Sequence, residues 1–183
     1  MRTSKQQAAQ TRSAIVTTAA DHIRRAGISG SSLAEMMGAA GLTHGGFYRH
    51  FQNKEQLVSE AVSAAGDKVV TTISRNMLKG GINSAIESYL STSHRDSTTP
   101  ICPFAAVGSE LRLSGKETKA AATEVLERLI AALSAEAQGS ESARRDAIAA
   151  LSTMIGAMVL ARIAGKTNLS SEILDAAKDY LHR

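Results

Sequence analysis

Residues 31–58, SSLAEMMGAAGLTHGGFYRHFQNKEQLV, carry three helix-start signals in close succession, and their spacing constrains the fold more than any other stretch of the chain. Ser32 and Glu35 stand at capping-box spacing, so a helix opens at Leu33 and runs to about Ala40, where Gly41 can take the left-handed stop conformation. Thr43 is placed to cap a second helix over residues 44–51, about two turns long, and Asn53 with Gln56 opens a third. Two short helices one tight turn apart form a helix-turn-helix, whose second helix lies in the major groove of DNA.

The same residues carry a family resemblance. Gly41-Leu42-Thr43, then Gly46-Phe47-Tyr48-Arg49-His50-Phe51, then Asn53-Lys54-Glu55 and Leu57 resemble the DNA-binding domain of TetR-type repressors. A generic helix-turn-helix fixes a small residue in the turn and a few apolar positions. Here Tyr48, His50 and Lys54 match as well, and helical packing alone does not ask for them. The resemblance implies an all-α chain with an N-terminal three-helix DNA-binding domain over 1–53 and a helical effector-binding and dimerisation domain over 54–183. It further implies a homodimer on a palindromic operator, released from double-stranded DNA by a small-molecule effector. Outside the motif the chain matches that family in length and helical character only.

The chemistry of the motif can be read residue by residue. Lys54 holds the first position of a helix, where the macrodipole disfavours a cation by a few tenths of a kcal/mol, roughly. A phosphate bound by Lys54 and the free amides of that helix start would reverse the penalty; the alternative is a solvated lysine. Phe47 and Phe51, four apart, make an apolar face directed to the core. By resemblance Tyr48 and His50 contact phosphate, and both can donate a hydrogen bond to a phosphate oxygen, although a packed Tyr or a capping His would have the same spacing. Thr43, His44, Gly45 and Gly46 head the helix and face base edges or the adjacent backbone. The two glycines each cost about 1 kcal/mol of helix propensity, which fits either close backbone approach to the groove or a helix that orders on DNA. Gly45 departs from the commoner small or polar residue of the family, leaving base readout to His44 and to Arg49, which can pair with guanine or touch phosphate.

Composition supports this frame. The 183 residues have two Pro, both within 100–103, and a bias to good helix formers with no alternating strand pattern. Of the net charge of +4, residues 1–60 supply most, with seven cations against four carboxylates. The start, MRTSKQQAAQTR, has charge but no apolar run after it, so a cytoplasmic protein is expected. Residues 147–161 form the longest uncharged run, shorter than the roughly 20 residues a membrane span needs; a buried or dimer-interface helix is expected and no membrane association.

Nine helices are predicted: 5–26, 33–40, 44–51, 54–78, 82–93, one from Pro103, 116–138, 141–164 and 170–181. The helix over 141–164 places Ile148, Leu151, Ile155, Met158 and Val159 at helical spacing, with Gly156 and Ala157 small enough for close approach. With Ile173 and Leu174 of the last helix it is similar to the four-helix dimer interface of TetR-like proteins, though periodicity alone fits a monomer core equally. Met77, Tyr89, Cys102, Phe104, Met154 and Met158 are the expected lining of the effector pocket. Cys102 precedes Pro103 and so stands at an N-cap, where a helix start can stabilise a thiolate; thiol modification is the alternative trigger, and a packed, inert thiol the alternative role. No catalytic triad spacing, phosphate-cradling loop, cofactor motif or metal-ligand cluster is evident, and the five His are scattered, so no enzyme, cofactor or metal is expected. A thiol enzyme built on Cys102 lacks a resolving Cys. A helical protein-interaction module is the third reading.

Overall fold

Two of the three start signals read in the sequence become hydrogen-bonded caps. In the computed structural model, which describes residues 2–135 and 141–182 and the side chains of all of these except residues 2–4, 44 and 141, Ser32 Oγ accepts from the Glu35 amide at 3.1 Å. The Glu35 carboxylate accepts in turn from the Ser32 amide at 2.8 Å, completing a capping box. Asn53 Oδ1 accepts from the Gln56 amide at 2.8 Å, and Gln56 Oε1 from the Gln52 amide at 2.7 Å.

Among the described residues the chain is all-α, with eight α-helices and one 3₁₀ helix. They are α1 (Arg2–Ala26), α2 (Leu33–Ala39), the 3₁₀ helix (His44–Arg49), α3 (Lys54–Tyr89), α4 (Thr92–Arg95), α5 (Pro103–Leu111), α6 (Lys116–Leu133), α7 (Glu141–Ala164) and α8 (Asn168–Leu181). Two apolar cores organise them. One joins Ile15, Ala19 and Ile23 of α1, Met36 and Met37 of α2, Phe47, Phe51 and the start of α3, and reaches Val107, Leu111 and Ala122 in the second half of the chain. The other joins Ile73, Tyr89, Leu129, Met154, Met158 and Leu174 across α3, α6, α7 and α8. α3 serves both: Leu57, Val58, Ala61, Val62 and Ala65 enter the first core, and Val69, Ile73 and Met77 enter the second.

Several elements differ from the sequence reading. The segment expected as an α-helix over 44–51 is a 3₁₀ helix ending at Arg49, and the Thr43 side chain makes no capping hydrogen bond. With glycines at 45 and 46 the helical preference is weak, and the two Phe anchors decide the path of the chain instead. The predicted break at Gly80-Gly81 is present as non-helical backbone, with Gly81 at φ +65°. Beyond this kink the chain resumes as helix to Tyr89, so the element expected over 82–93 is the second segment of α3, followed by the short α4. Residues 136–138 of the predicted 116–138 helix lie outside the described residues. α7 is long and apolar enough to cross a membrane by length and composition, and it packs on α5, α6 and α8.

Candidate nucleic-acid interface

The residues around the 3₁₀ helix are held from beneath and open above. Gly41, at φ +72°, ends α2 in the left-handed conformation and its neighbour Leu42 returns an amide hydrogen bond to Met37 O at 2.9 Å, so the chain reverses within a few residues. Phe47 and Phe51 then stack at 5.5 Å between ring centroids, 0% and 3% exposed, which anchors the segment to α1 and α2. Arg12 of α1 covers this joint. Its guanidinium lies 4.6 Å over the Phe51 ring, Nε donates to His50 O at 3.2 Å, and Nη2 pairs with Glu60 at 2.5 Å. Arg12 and Glu60 carry no motif signal; they are distant in sequence, and only the packing of α1 on α3 brings them together.

On the outer side, Thr43, Gly45, Arg49 and Lys54 are exposed, Tyr48 is 67% exposed with its ring edge-on to Phe47, and His50 is half-buried. The His44 side chain lies outside the described residues. Lys54 opens α3 and is exposed, and the Asn53 side chain caps that helix start by accepting from the amide of Gln56. The expected reader residues thus share one surface, formed by the 3₁₀ helix and the beginning of α3. Tyr48, Arg49, His50 and Lys54 are hydrogen-bond donors or cations, and the neighbouring Glu55 carboxylate is engaged with the start of α6.

Comparison with known proteins agrees with this geometry. Residues 15–61 match the family model described as "Bacterial regulatory proteins, tetR family". Residues 15–61 thus carry the DNA-binding domain of the TetR family. It is 42% identical over 59 residues to the HTH-type transcriptional regulator AcrR of Shigella flexneri, a match spanning 32% of this chain and 27% of that protein. The likeness of fold extends over nearly the whole chain. A TetR transcriptional regulator from Chloroflexus aurantiacus superposes with a TM-score of 0.77 at 24% identity, covering 97% of each chain. NemR of E. coli in its reduced form gives 0.78 at 18% identity, covering 93% of this chain and 96% of that one.

Two carboxylates tie this TetR-type DNA-binding head to the rest of the chain. Glu55, next to Lys54, accepts from the Glu117 amide at 3.1 Å and so caps the start of α6; a Cβ on Gly115 would lie 1.9 Å from that carboxylate oxygen, so glycine leaves the room it occupies. Glu110 of α5 accepts from the Ser29 amide at 2.7 Å in the α1–α2 connection, and the Ser29 amide holds its carboxyl below the usual range.

The residues expected to line an effector pocket fall together in the second core, but mostly as packing. Cys102, Met154 and Met158 are 0% exposed, Met77 is 7% exposed, and Phe104 packs against that core. A small cleft, about 30 Å³ in volume, opens beside them, between the two segments of α3 and the loop before α5, and of the expected residues only Tyr89 lines it. His94 and Ile101, which no periodicity marked, complete the wall. Cys102 is the N-cap of α5, as its place before Pro103 suggested, yet its side chain makes no capping bond. Burial pushes its thiol up, outweighing the nearby Tyr89 and helix amides, so the helix start does not activate it.

Of the residues expected at a dimer interface, Leu151, Met158 and Leu174 are 4%, 0% and 1% exposed within the subunit and have no surface to offer a second copy. Ile155, Val159 and Ile173 are half-buried. The apolar surface of α7 and α8 is instead Ile148, Leu160, Ile163, Leu169 and Tyr180. Inward and outward positions interleave on both helices, so the period alone could not sort them.

Proposed function

We propose that the chain is a ligand-responsive DNA-binding regulator, a repressor that binds a palindromic operator as a homodimer and leaves it when a small-molecule effector binds. The observation that carries this reading is the shared surface of Thr43, Gly45, Gly46, Tyr48, Arg49, His50 and Lys54, donors and cations set over a fixed Phe47–Phe51 anchor. In this reading Tyr48, His50 and Lys54 hold phosphates, and His44 and Arg49 read bases. So short a reading element contacts few base pairs, and useful affinity requires two copies. The exposed apolar positions of α7 and α8 supply the face for the second copy. The protein acts in the cytoplasm, without enzymatic activity, with residues 1–53 reading DNA and residues 54–183 sensing and dimerising.

The switch runs through α3. Its first turn carries Lys54 and the Glu55 tie to α6, and its later turns wall the cleft. An effector that favours one position of α3 over another changes the separation of the two heads and thereby the affinity for a palindrome. The burial of Cys102 favours the ligand over thiol modification as the trigger.

The test is binding to DNA from the upstream region of the chain's own gene across a salt series, with the Tyr48→Phe/Lys54→Ala double variant alongside. Saturable, palindrome-dependent binding, lost in the variant, is expected. Equal weak binding of both with only a steep salt slope, followed by an empty genome-wide selection for bound fragments, would overturn the reading.

A further inference from the structure

One corner of the body grips the DNA-binding head from both sides. It runs from the end of α5 to the first turn of α6, residues 110–117, and its own hydrogen bonds stiffen it. The Leu113 amide donates to Glu110 O at 2.9 Å, the Ser114 amide to Leu111 O at 3.2 Å, and Ser114 Oγ to Glu110 O at 3.1 Å. Glu110 reaches out of this corner to the Ser29 amide, shortly before the Ser32 cap that opens α2. In the opposite sense, Glu55 reaches in from the first turn of α3 to the Glu117 amide. The two contacts bracket the helix-turn-helix, one where the chain enters it and one where the chain leaves.

Each carboxylate occupies room that a glycine leaves. A Cβ on Gly27 would lie 2.6 Å from Glu110 Oε1, and one on Gly115 would overlap the Glu55 carboxylate. Gly115 is the N-cap of α6 and has no side chain to cap with, so Glu55 takes that role from another element. The rest of the joint is apolar and partly open. Val107 and Leu111 meet Leu57 and Val58 in the first core, and a groove of about 220 Å³, with Ile28, Val58, Ser114 and Thr118 in its walls, runs beside them. Burial of apolar surface holds the head to the body without fixing its angle, because that attraction has no direction. Hydrogen bonds are directional, so the two carboxylates supply the angle.

We propose that Glu55 and Glu110 are positioning residues that set which spacing of the two operator half-sites the protein accepts, by holding each reading head at a fixed angle to its body. The inference rests on the palindrome-reading homodimer above and names the residues that decide its operator geometry. Neither carboxylate touches DNA in this reading. Each base pair added between half-sites moves them apart by about 3.4 Å and turns one against the other by about 35°. A head fixed at two points cannot follow that turn, whereas one held by apolar packing alone can.

The experiment measures, by fluorescence anisotropy, binding of the full chain to three DNAs: the palindromic fragment recovered by operator selection, the same fragment with one base pair inserted at its centre, and the same fragment with one base substituted in each half-site. The unaltered protein is expected to bind roughly tenfold more weakly to the inserted and to the substituted fragment. Glu55→Ala/Glu110→Ala should lower the insertion penalty to about threefold or less and leave the substitution penalty as it was. Gly115→Ala displaces the Glu55 carboxylate without altering it, at an ordinary φ of −67°, and should relax the spacing in the same direction; it serves where the double variant does not fold. Glu55→Gln/Glu110→Gln keeps an accepting oxygen at both places and should retain most of the discrimination. An insertion penalty unchanged in the Ala variants overturns the proposal. So does an equal fall in both penalties, since that reports loss of the head's structure and not of its position. If the unaltered protein binds no fragment, the regulator reading itself fails. If it binds and tolerates the insertion, that reading stands and the positioning role falls.

Discussion

Replacing Gly66 by Ala tests whether α3 and α6 lie as close as the structure places them. A Cβ at residue 66 would sit 2.3 Å from Val125 Cγ2, 2.5 Å from Cγ1 and 3.0 Å from Cβ. Carbon atoms in contact prefer about 3.5–4.0 Å, so the overlap exceeds an ångström at two methyls together. Val125 is 1% exposed and β-branched, so no rotation takes both methyls away, and the helices must separate. Overpacking of this kind costs about 1–3 kcal/mol, and overlap with both methyls argues for the upper end. The helix propensity gained by Ala returns about 1 kcal/mol. The net loss is therefore about 2 kcal/mol, or a fall of about 4–8 °C in melting temperature for a chain of this size. Val125→Ala alone leaves a cavity and costs about 2 kcal/mol. The double variant removes the obstructing methyls and should be more stable than the sum of the two losses predicts, by about 1–2 kcal/mol. Thermal and urea unfolding of the four proteins measures the cycle. If Gly66→Ala melts at or above the unaltered protein, or if the two losses simply add, the close approach of α3 to α6 is refuted.

Other perturbations address the head, its tether and the exposed apolar face of α7 and α8. Arg12→Ala removes the cation over Phe51, the bond to His50 O and the Glu60 pair; a loss of about 1–2 kcal/mol is expected, with weaker DNA binding by fluorescence anisotropy, and unchanged DNA affinity would dissociate this joint from reading. Glu110 titrates below its ordinary value when folded, so its contribution to stability is present above about pH 4.5 and is lost as pH falls through the lower folded value. Melting curves from pH 6 to pH 3 should accordingly converge for Glu110→Gln and the unaltered protein at the acid end and separate at pH 6. Leu160 is 55% exposed, and Leu160→Glu should yield a folded monomer in sedimentation that has lost most of its affinity for a palindrome; a dimer of unchanged strength would place the interface elsewhere.

These experiments divide along the line between what sequence spacing encodes and what packing creates. Capping residues act on amides within three or four positions, so Ser32 with Glu35, Asn53 with Gln56, and the stop at Gly41 were readable one residue at a time, and the helix-turn-helix came with them. The Phe47–Phe51 anchor was readable for the same reason, since a fixed offset turns into a fixed face. The 3₁₀ character of the segment between was not, because with two glycines local preference is weak and anchoring to α1 and α2 decides the backbone. The cleft between the segments of α3 shows the limit most clearly. Met77, Met154 and Met158 look like pocket residues in sequence and are core, whereas His94 comes from the four-residue α4 and Ile101 from the loop before α5, both too short to show a period. The inert state of Cys102 was likewise hidden: its N-cap position is local, but its complete burial depends on α3 and α7 arriving from elsewhere. By itself, then, the sequence determined the helices, their caps and the composition of the reading surface, because those depend on interactions a few residues long. Tertiary structure alone decided which apolar positions face inward, where space is left between the segments of α3, and how Glu55 and Glu110 tie the head to the body, because burial and long-range contact are properties of helices packed together.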